Sequence, residues 1–304
     1  MRAASRRKRS GASSALAESR AKALAALMFG AVVIGLAPIF VRLSETGPAA
    51  AGFWRLAIAT PLLAVIARAG PASAPPPRAA LLAGTMFALD MGFWHYGIAY
   101  TSVANATVLA NLTPVIVTLA VWFLYGQRPR LGFAAAVALA VAGAAMMAAF
   151  RGGNPGPNPR LGDALSMITA LWYAFYLLGV SAARREARAG AVMFWSTLTA
   201  APLLLAAAFM LGEQIVPASL SGWAACAGLA LVHVAGQGAI AWSLGRLPTA
   251  LAAVVVLIQP VVTAALGWLL FAESLGPLQA LGGVVALIGV ALAQRFAADQ
   301  PAKP

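Results

Sequence analysis

Acidic residues are scarce in this chain. Eight Asp and Glu stand against 21 Lys and Arg, and charged residues make up only 10% of the 304 positions. Cysteine is scarcer still: the single Cys226 excludes an intrachain disulfide framework and any cysteine-cluster metal site. There are two histidines, His95 and His233. The chain has no H-E-x-x-H, no G-x-S-x-G and no G-x-x-x-x-G-K-[ST] run. Zinc-protease, serine-hydrolase and nucleotide-driven chemistry therefore lack their motifs, and the sequence calls for no enzyme activity and no cofactor. What is abundant is apolar: 62% of residues are hydrophobic, and mean hydropathy is +0.85. Soluble domains carry about 25% charged and about 45–50% apolar residues. A water-soluble globule could not cover this chain with a polar surface, and a disordered chain would not be so apolar. The net charge of +13 does not point to nucleic acid, because the basic residues sit at the ends of apolar runs and form no patch on a soluble surface.

A bilayer core takes about 20 apolar residues per helix. Ten such runs can be read, at about 22–42, 48–67, 79–99, 103–125, 131–149, 161–182, 190–211, 221–244, 248–271 and 277–295. Breakers separate them: Gly47-Pro48, Pro75-Pro76-Pro77, Arg128-Pro129, the Gly152 to Pro159 stretch, Gly212, Leu247-Pro248 and Gly276-Pro277. The first run is too long for a signal-peptide core, and nine runs follow it, so it reads as a retained helix. Ser5-Arg6-Arg7 makes no convincing twin-arginine signal, and residues 1–20 read as a disordered basic tail. Stripes of small residues, Ala134/Ala138/Ala142 and Gly282/Ala286/Gly289, predict close helix–helix approach.

Lys and Arg set the expected orientation. With the N-terminus inside, 17 of the 21 basic residues fall on the cytoplasmic side. Arg42, Arg151 and Arg160 fall outside, and Arg55 lies within a run. Both termini are therefore expected in the cytoplasm, in a membrane of the bacterial inner-membrane type.

The runs repeat. Phe53-Trp54 and Pro61-Leu62-Leu63 recur as Phe194-Trp195 and Pro202-Leu203-Leu204, 141 positions on. Pro114, Trp122 and Gly143 recur as Pro260, Trp268 and Gly289, 146 positions on. The expected organisation is a basic tail (1–21) and two five-helix repeats (22–150 and 160–296). Five is an odd number, so the second repeat must enter the membrane from the opposite side. Inverted repeats of this kind build secondary transporters, with a solute site near the midplane. The predicted fold class is thus an all-α integral membrane protein, ten helices in two inverted halves around a central cavity.

On these residues the chain resembles the drug/metabolite transporter superfamily, EamA type. The resemblance is carried by the ten spans, the basic start, Phe53-Trp54-Arg55, and the run Thr101-Ser102-Val103-Ala104-Asn105-Ala106 leading into a proline-bearing fourth span. It covers about residues 22–296. Within the superfamily the chain looks most like bacterial exporters of amino acids and related metabolites, including the YddG-type aromatic amino-acid exporter. Relatives that carry nucleotide sugars or triose phosphates would be expected to show Lys or Arg pairs deep in late spans, and this chain has none.

Ionisable groups at bilayer depth are costly and mark function by default. At about 1.5 Å per residue, Arg55 lies about 12 Å below the outer face and Asp90 about 17 Å above the inner one. Across a core of about 30 Å the two meet. They can form a purely structural ion pair. Alternatively Asp90 lines the cavity for an ammonium group or a proton, or it stays neutral within the bundle. His95, nearer the outside, is either a helix contact or a cavity residue open to protonation. Asn111 and Gln259 precede Pro114 and Pro260, helix-kink residues that free carbonyls one turn earlier. The amides of Asn105 and Gln237 are the kind that bridge helices. The Asn105 and Asn111 glycosylation patterns fall within spans and carry no weight. Trp172 and Tyr176 share a face of the sixth span, and Trp94 shares one with Asp90. Such aromatic–polar faces suit an amphiphile with a charged end. Tyr173 also sits mid-span.

The candidate binding set is therefore Asp90, Trp94, His95, Asn111, Trp172, Tyr176 and Gln259. The expected partners are a small solute and the lipid bilayer, with protons as a candidate coupling ion and no nucleic acid. A monomer is compatible with the sequence. The reading is a secondary or facilitative exporter of small amphiphilic metabolites, foremost aromatic or neutral amino acids. Efflux of cationic drugs is the main rival, and a channel is disfavoured by the absence of a charged ring or filter loop.

Overall fold

The computed structural model describes residues 2–69, 77–101, 103–110, 112–149, 156–271 and 276–298. Every regular element among them is helical. The elements are α1 (Arg2–Ile34), α2 (Ala37–Leu43), α3 (Pro48–Arg68), α4 (Arg78–Tyr100), α5 (Val103–Ala110), α6 (Thr113–Tyr125) and α7 (Leu131–Ala149). After the Gly/Pro stretch follow α8 (Pro159–Ala183), α9 (Ala189–Met210), α10 (Leu220–Val232), a π-helical turn (His233–Gln237), α11 (Gly238–Leu244), α12 (Thr249–Val255), α13 (Ile258–Phe271) and α14 (Pro277–Ala298). The basic tail read as disordered continues α1 back to Arg2, consistent with the strong helix propensity of Ala, Arg and Lys.

Six stretches are long and apolar enough to cross a membrane: Glu18–Leu43, Pro48–Arg68, Pro159–Ala183, Ala189–Met210, Leu220–Leu244 and Thr249–Leu266. Large apolar side chains cover the outside, among them Val65, Leu82, Phe123, Phe209 and Leu269. A soluble protein does not tolerate so broad an apolar surface; hydrocarbon does.

Prolines stand where the rods break. Pro38 takes the second position of α2, beyond a break at Gly35-Leu36, and Pro114 the second position of α6. Pro260 is the third residue of α13, beyond a break at Val256-Leu257. Each proline lacks the N–H that would continue the preceding helix, so the chain restarts there. Pro61 and Pro202, by contrast, lie inside α3 and α9.

The closest partnerships join α7 to α14, α4 to α8 and α9, and α3 to α9. In the first, a Cβ on Gly143 would overlap the Ala286 amide, and one on Gly289 would overlap the Ala140 amide. Gly282, Ala286 and Gly289 are buried there as expected. On α7 the face differs from the expected one: Ala136, Ala140 and Gly143 are buried, while Ala138 and Ala142 are exposed. On a helix this rich in alanine, four-residue spacing runs along several faces, and only the glycine marks the one that touches α14.

Candidate functional site

About a third of the way along α3, Arg55 is 1% exposed, and Asp90, midway along α4, is 3% exposed. Spacing on α4 puts Phe87, Asp90, Met91 and Trp94 on one buried face. On α8 the buried face carries Tyr173 and Tyr176. The π-helical turn brings in His233 and Gln237, both buried, and α13 contributes the half-buried Gln259. Single π turns inside α-helices are frequent at functional sites.

Aromatic rings knit this cluster. Phe87 stacks on Tyr176 with centroids 4.5 Å apart and on His233 at 5.3 Å. Tyr173 stacks on Tyr176 at 5.8 Å. The Arg55 guanidinium lies over the Phe87 ring, 5.9 Å from its centroid. Within this ladder the polar atoms are poorly satisfied. Among the described residues, no hydrogen-bond partner reaches any of the three Arg55 side-chain nitrogens, Asp90 Oδ2, Tyr173 Oη, His233 Nδ1, Gln237 Oε1 or Gln259 Nε2. Asp90 acts on Arg55 electrostatically without closing a hydrogen bond. Gln237 and Gln259 likewise approach the Tyr173 hydroxyl without completing one. His233 Nε2 does have a partner, the Thr197 hydroxyl at 2.8 Å. Buried groups in folded proteins are overwhelmingly paired, so a gathering of open ones sets this cluster apart from the rest of the bundle.

The sequence-derived candidates divide. Asp90, Tyr176 and Gln259 belong to the cluster. His95 points the other way: its Nδ1 donates to the Pro48 carbonyl at 2.8 Å, which fastens α4 to the start of α3. Its neighbour Trp94 packs beside it, with rings 5.3 Å apart. Trp172 is half-buried at the margin, 6.3 Å from the Phe93 ring, with an open Nε1. Asn111 lies outside the described residues, while Pro114 and Pro260 mark the helix breaks described above. Arg55, Tyr173, His233 and Gln237 enter the cluster without having been in the candidate binding set. For His233 and Gln237 the one hint was a pair of glycines, Gly236 and Gly238, beside them.

A separate cavity of about 390 Å³ lies between the ends of α3, α8 and α11 and the beginning of α9. Arg184, Arg188 and Arg246 line it. Arg184 donates from Nε to the Ala241 carbonyl at 3.0 Å. Burial, and then the neighbouring positive charge of Arg246, lower its pKa from the usual arginine value. Arg246 stacks on Trp242, 3.7 Å from the ring centroid.

Helices with a lipid-compatible exterior and polar groups gathered within define an integral membrane protein. A profile of the EamA-like transporter family matches residues 21–149 and 160–294, and the chain belongs to that family, within the drug/metabolite transporter superfamily. It is 28% identical over 256 residues to the pseudopaline exporter CntI of Pseudomonas aeruginosa, in each of two strains, covering 81% of this chain and 86% of that protein. A solved crystal structure shares the fold with a TM-score of 0.73 at 18% identity, covering 93% of this chain and 98% of that one.

Proposed function

We propose that this protein is a secondary exporter of small amphiphilic metabolites, foremost neutral or aromatic amino acids, working by alternating access in the inner membrane. In this reading ten spans form two inverted five-helix halves, with both termini in the cytoplasm. The observation that carries it is the open-valenced cluster. Arg55 and Asp90 come from the first matched segment, and Tyr173, His233, Gln237 and Gln259 from the second. A site at the seam of two repeats changes its exposure when they rock. The helix partnerships support the inversion, since α3 with α9, and α7 with α14, are the pairs that the sequence repeat relates to each other. The family and the CntI relative support export. Asp90 beside Phe87 and Trp94 also suits a cation, which keeps cationic-drug efflux as the second reading.

Flux in proteoliposomes tests this with a panel of amino acids and cationic dyes. Amino acids should move, and Trp172→Ala, at the margin of the cluster, should slow them without lowering thermal stability. Transport of the dyes with none of the amino acids would establish the second reading instead.

A further inference from the structure

The Arg55 guanidinium is the most demanding group in the bundle. It is 1% exposed, and among the described residues none of its three nitrogens has a hydrogen-bond partner. A guanidinium keeps its charge at any physiological pH, and a buried charge without hydrogen bonds is strongly disfavoured. Asp90 relieves part of this through space, yet its own Oδ2 is open. Had evolution needed only a strut between α3 and α4, a closed fork-to-carboxylate pair would serve better, because that geometry satisfies both partners at once. Here Asp90 acts on Arg55 only through space, with the aromatic ladder of Phe87 and Tyr176 alongside.

We infer that Arg55 binds the carboxylate of the transported solute and Asp90 its ammonium group, so that the substrate class is zwitterionic α-amino acids. This inference rests on the transporter reading given above. The open atoms sort by type to match such a ligand. The planar donor fork of Arg55 and the Tyr173 hydroxyl suit a carboxylate. The acceptors Asp90 Oδ2 and Gln237 Oε1 suit an ammonium. The flanking rings suit an apolar or aromatic side chain, and a purely cationic ligand would meet Arg55 as a like charge. A solute that bridges the two groups satisfies both charges together.

The test is counterflow of labelled phenylalanine in proteoliposomes, competed by phenylalanine, phenylalanine amide, phenethylamine and 3-phenylpropionate. A site built to hydrogen-bond a group rejects analogues lacking it by large factors. The amide and the amine should therefore compete at least about tenfold more weakly than phenylalanine. Arg55→Gln should collapse that ratio towards one, and Arg55→Lys should keep part of it. Phenethylamine competing as well as phenylalanine in the wild-type protein would overturn the inference while leaving the transporter reading intact. That comparison needs no variant, so it stands even if Arg55→Gln fails to fold. Failure to move phenylalanine or any other amino acid would end the amino-acid reading, and this inference with it.

Discussion

Glu213, three residues beyond the end of α9, accepts the backbone amide of Ala50 at the start of α3 at 2.8 Å. Its other oxygen accepts the Ala49 amide at 3.0 Å and the hydroxyl of Tyr96. A helix begins with unpaired N–H groups and a partial positive charge, and a carboxylate satisfies both. This cap comes from more than 160 positions away, so it ties the first matched segment to the second. Glu45 repeats the device in reverse, accepting from the Ser219 amide at 3.0 Å and the Ser219 hydroxyl at 2.7 Å at the start of α10. Trp54 adds a further tie by donating to the Ile215 carbonyl at 2.7 Å. Together these contacts tie the two matched segments to each other at one face of the bundle.

Removing the cap should loosen that face. Glu213→Ala is expected to cost about 1–2 kcal/mol, as lost helix caps do, and to lower the thermal midpoint by a few degrees. The exposed Glu45 should matter less when changed to Ala. Equal losses from the two substitutions, or no loss at Glu213, would contradict the assignment. Thermal unfolding in detergent makes the comparison.

The α7–α14 contact predicts a face-specific effect. Gly143→Val and Gly289→Val each push a side chain into facing backbone, and overpacking of this kind costs about 1–3 kcal/mol. Ala138→Val and Ala142→Val, on the exposed face of α7, should be tolerated. The yield of monodisperse protein and its melting temperature would separate the two faces.

Arg55 and Asp90 interact through space inside the bundle. Arg55→Gln and Asp90→Asn should each destabilise, since each strands the opposite charge. The double variant should lose less than the sum of the two, with a coupling above about 0.5 kcal/mol. Additive losses would mean that the two groups do not sense each other.

If Asp90 carries a coupled proton, an imposed pH gradient accelerates counter-movement of substrate in liposomes by the wild-type protein, and Asp90→Asn abolishes that acceleration, on top of the slower movement expected from losing the partner of the ammonium group. An Asp90→Asn protein that keeps the acceleration would exclude this carboxylate as the proton carrier. Initial rates with and without a gradient are the measurement.

Helix positions were legible because hydrocarbon imposes a long apolar run, which hydropathy reads directly. The runs at about 48–67, 161–182 and 190–211 correspond to α3, α8 and α9 within two residues. The breaks at Pro114 and Pro260 were legible for an equally local reason, the missing proline N–H. Asp90 and Arg55 were marked by their charge at depth. Beyond the neighbouring Gly236 and Gly238, nothing local marked the π-helical turn, which packs against α1 and α3. His233 therefore looked like a lone histidine and Gln237 like one bridging amide among several. The role of Glu213 was hidden because its partners are backbone amides, which carry no sequence signature. His95 shows the same limit from the other side: its type suggested a site, and the backbone carbonyl of Pro48 that holds its Nδ1 carries no sequence signature.

The wide turn at His233–Gln237 has a mechanical corollary. It holds one more residue per loop than the rod on either side of it. Should that surplus be taken up, everything from Gly238 onward would swivel by about 100°, the step of one residue in a helix of 3.6 per turn. Gln237 would then swing out of the ring of polar atoms, and the Ser243 hydroxyl would leave the Ala23 carbonyl it holds at 2.9 Å. One slack coil can thus link the middle of the bundle to its rim with no hinge between them.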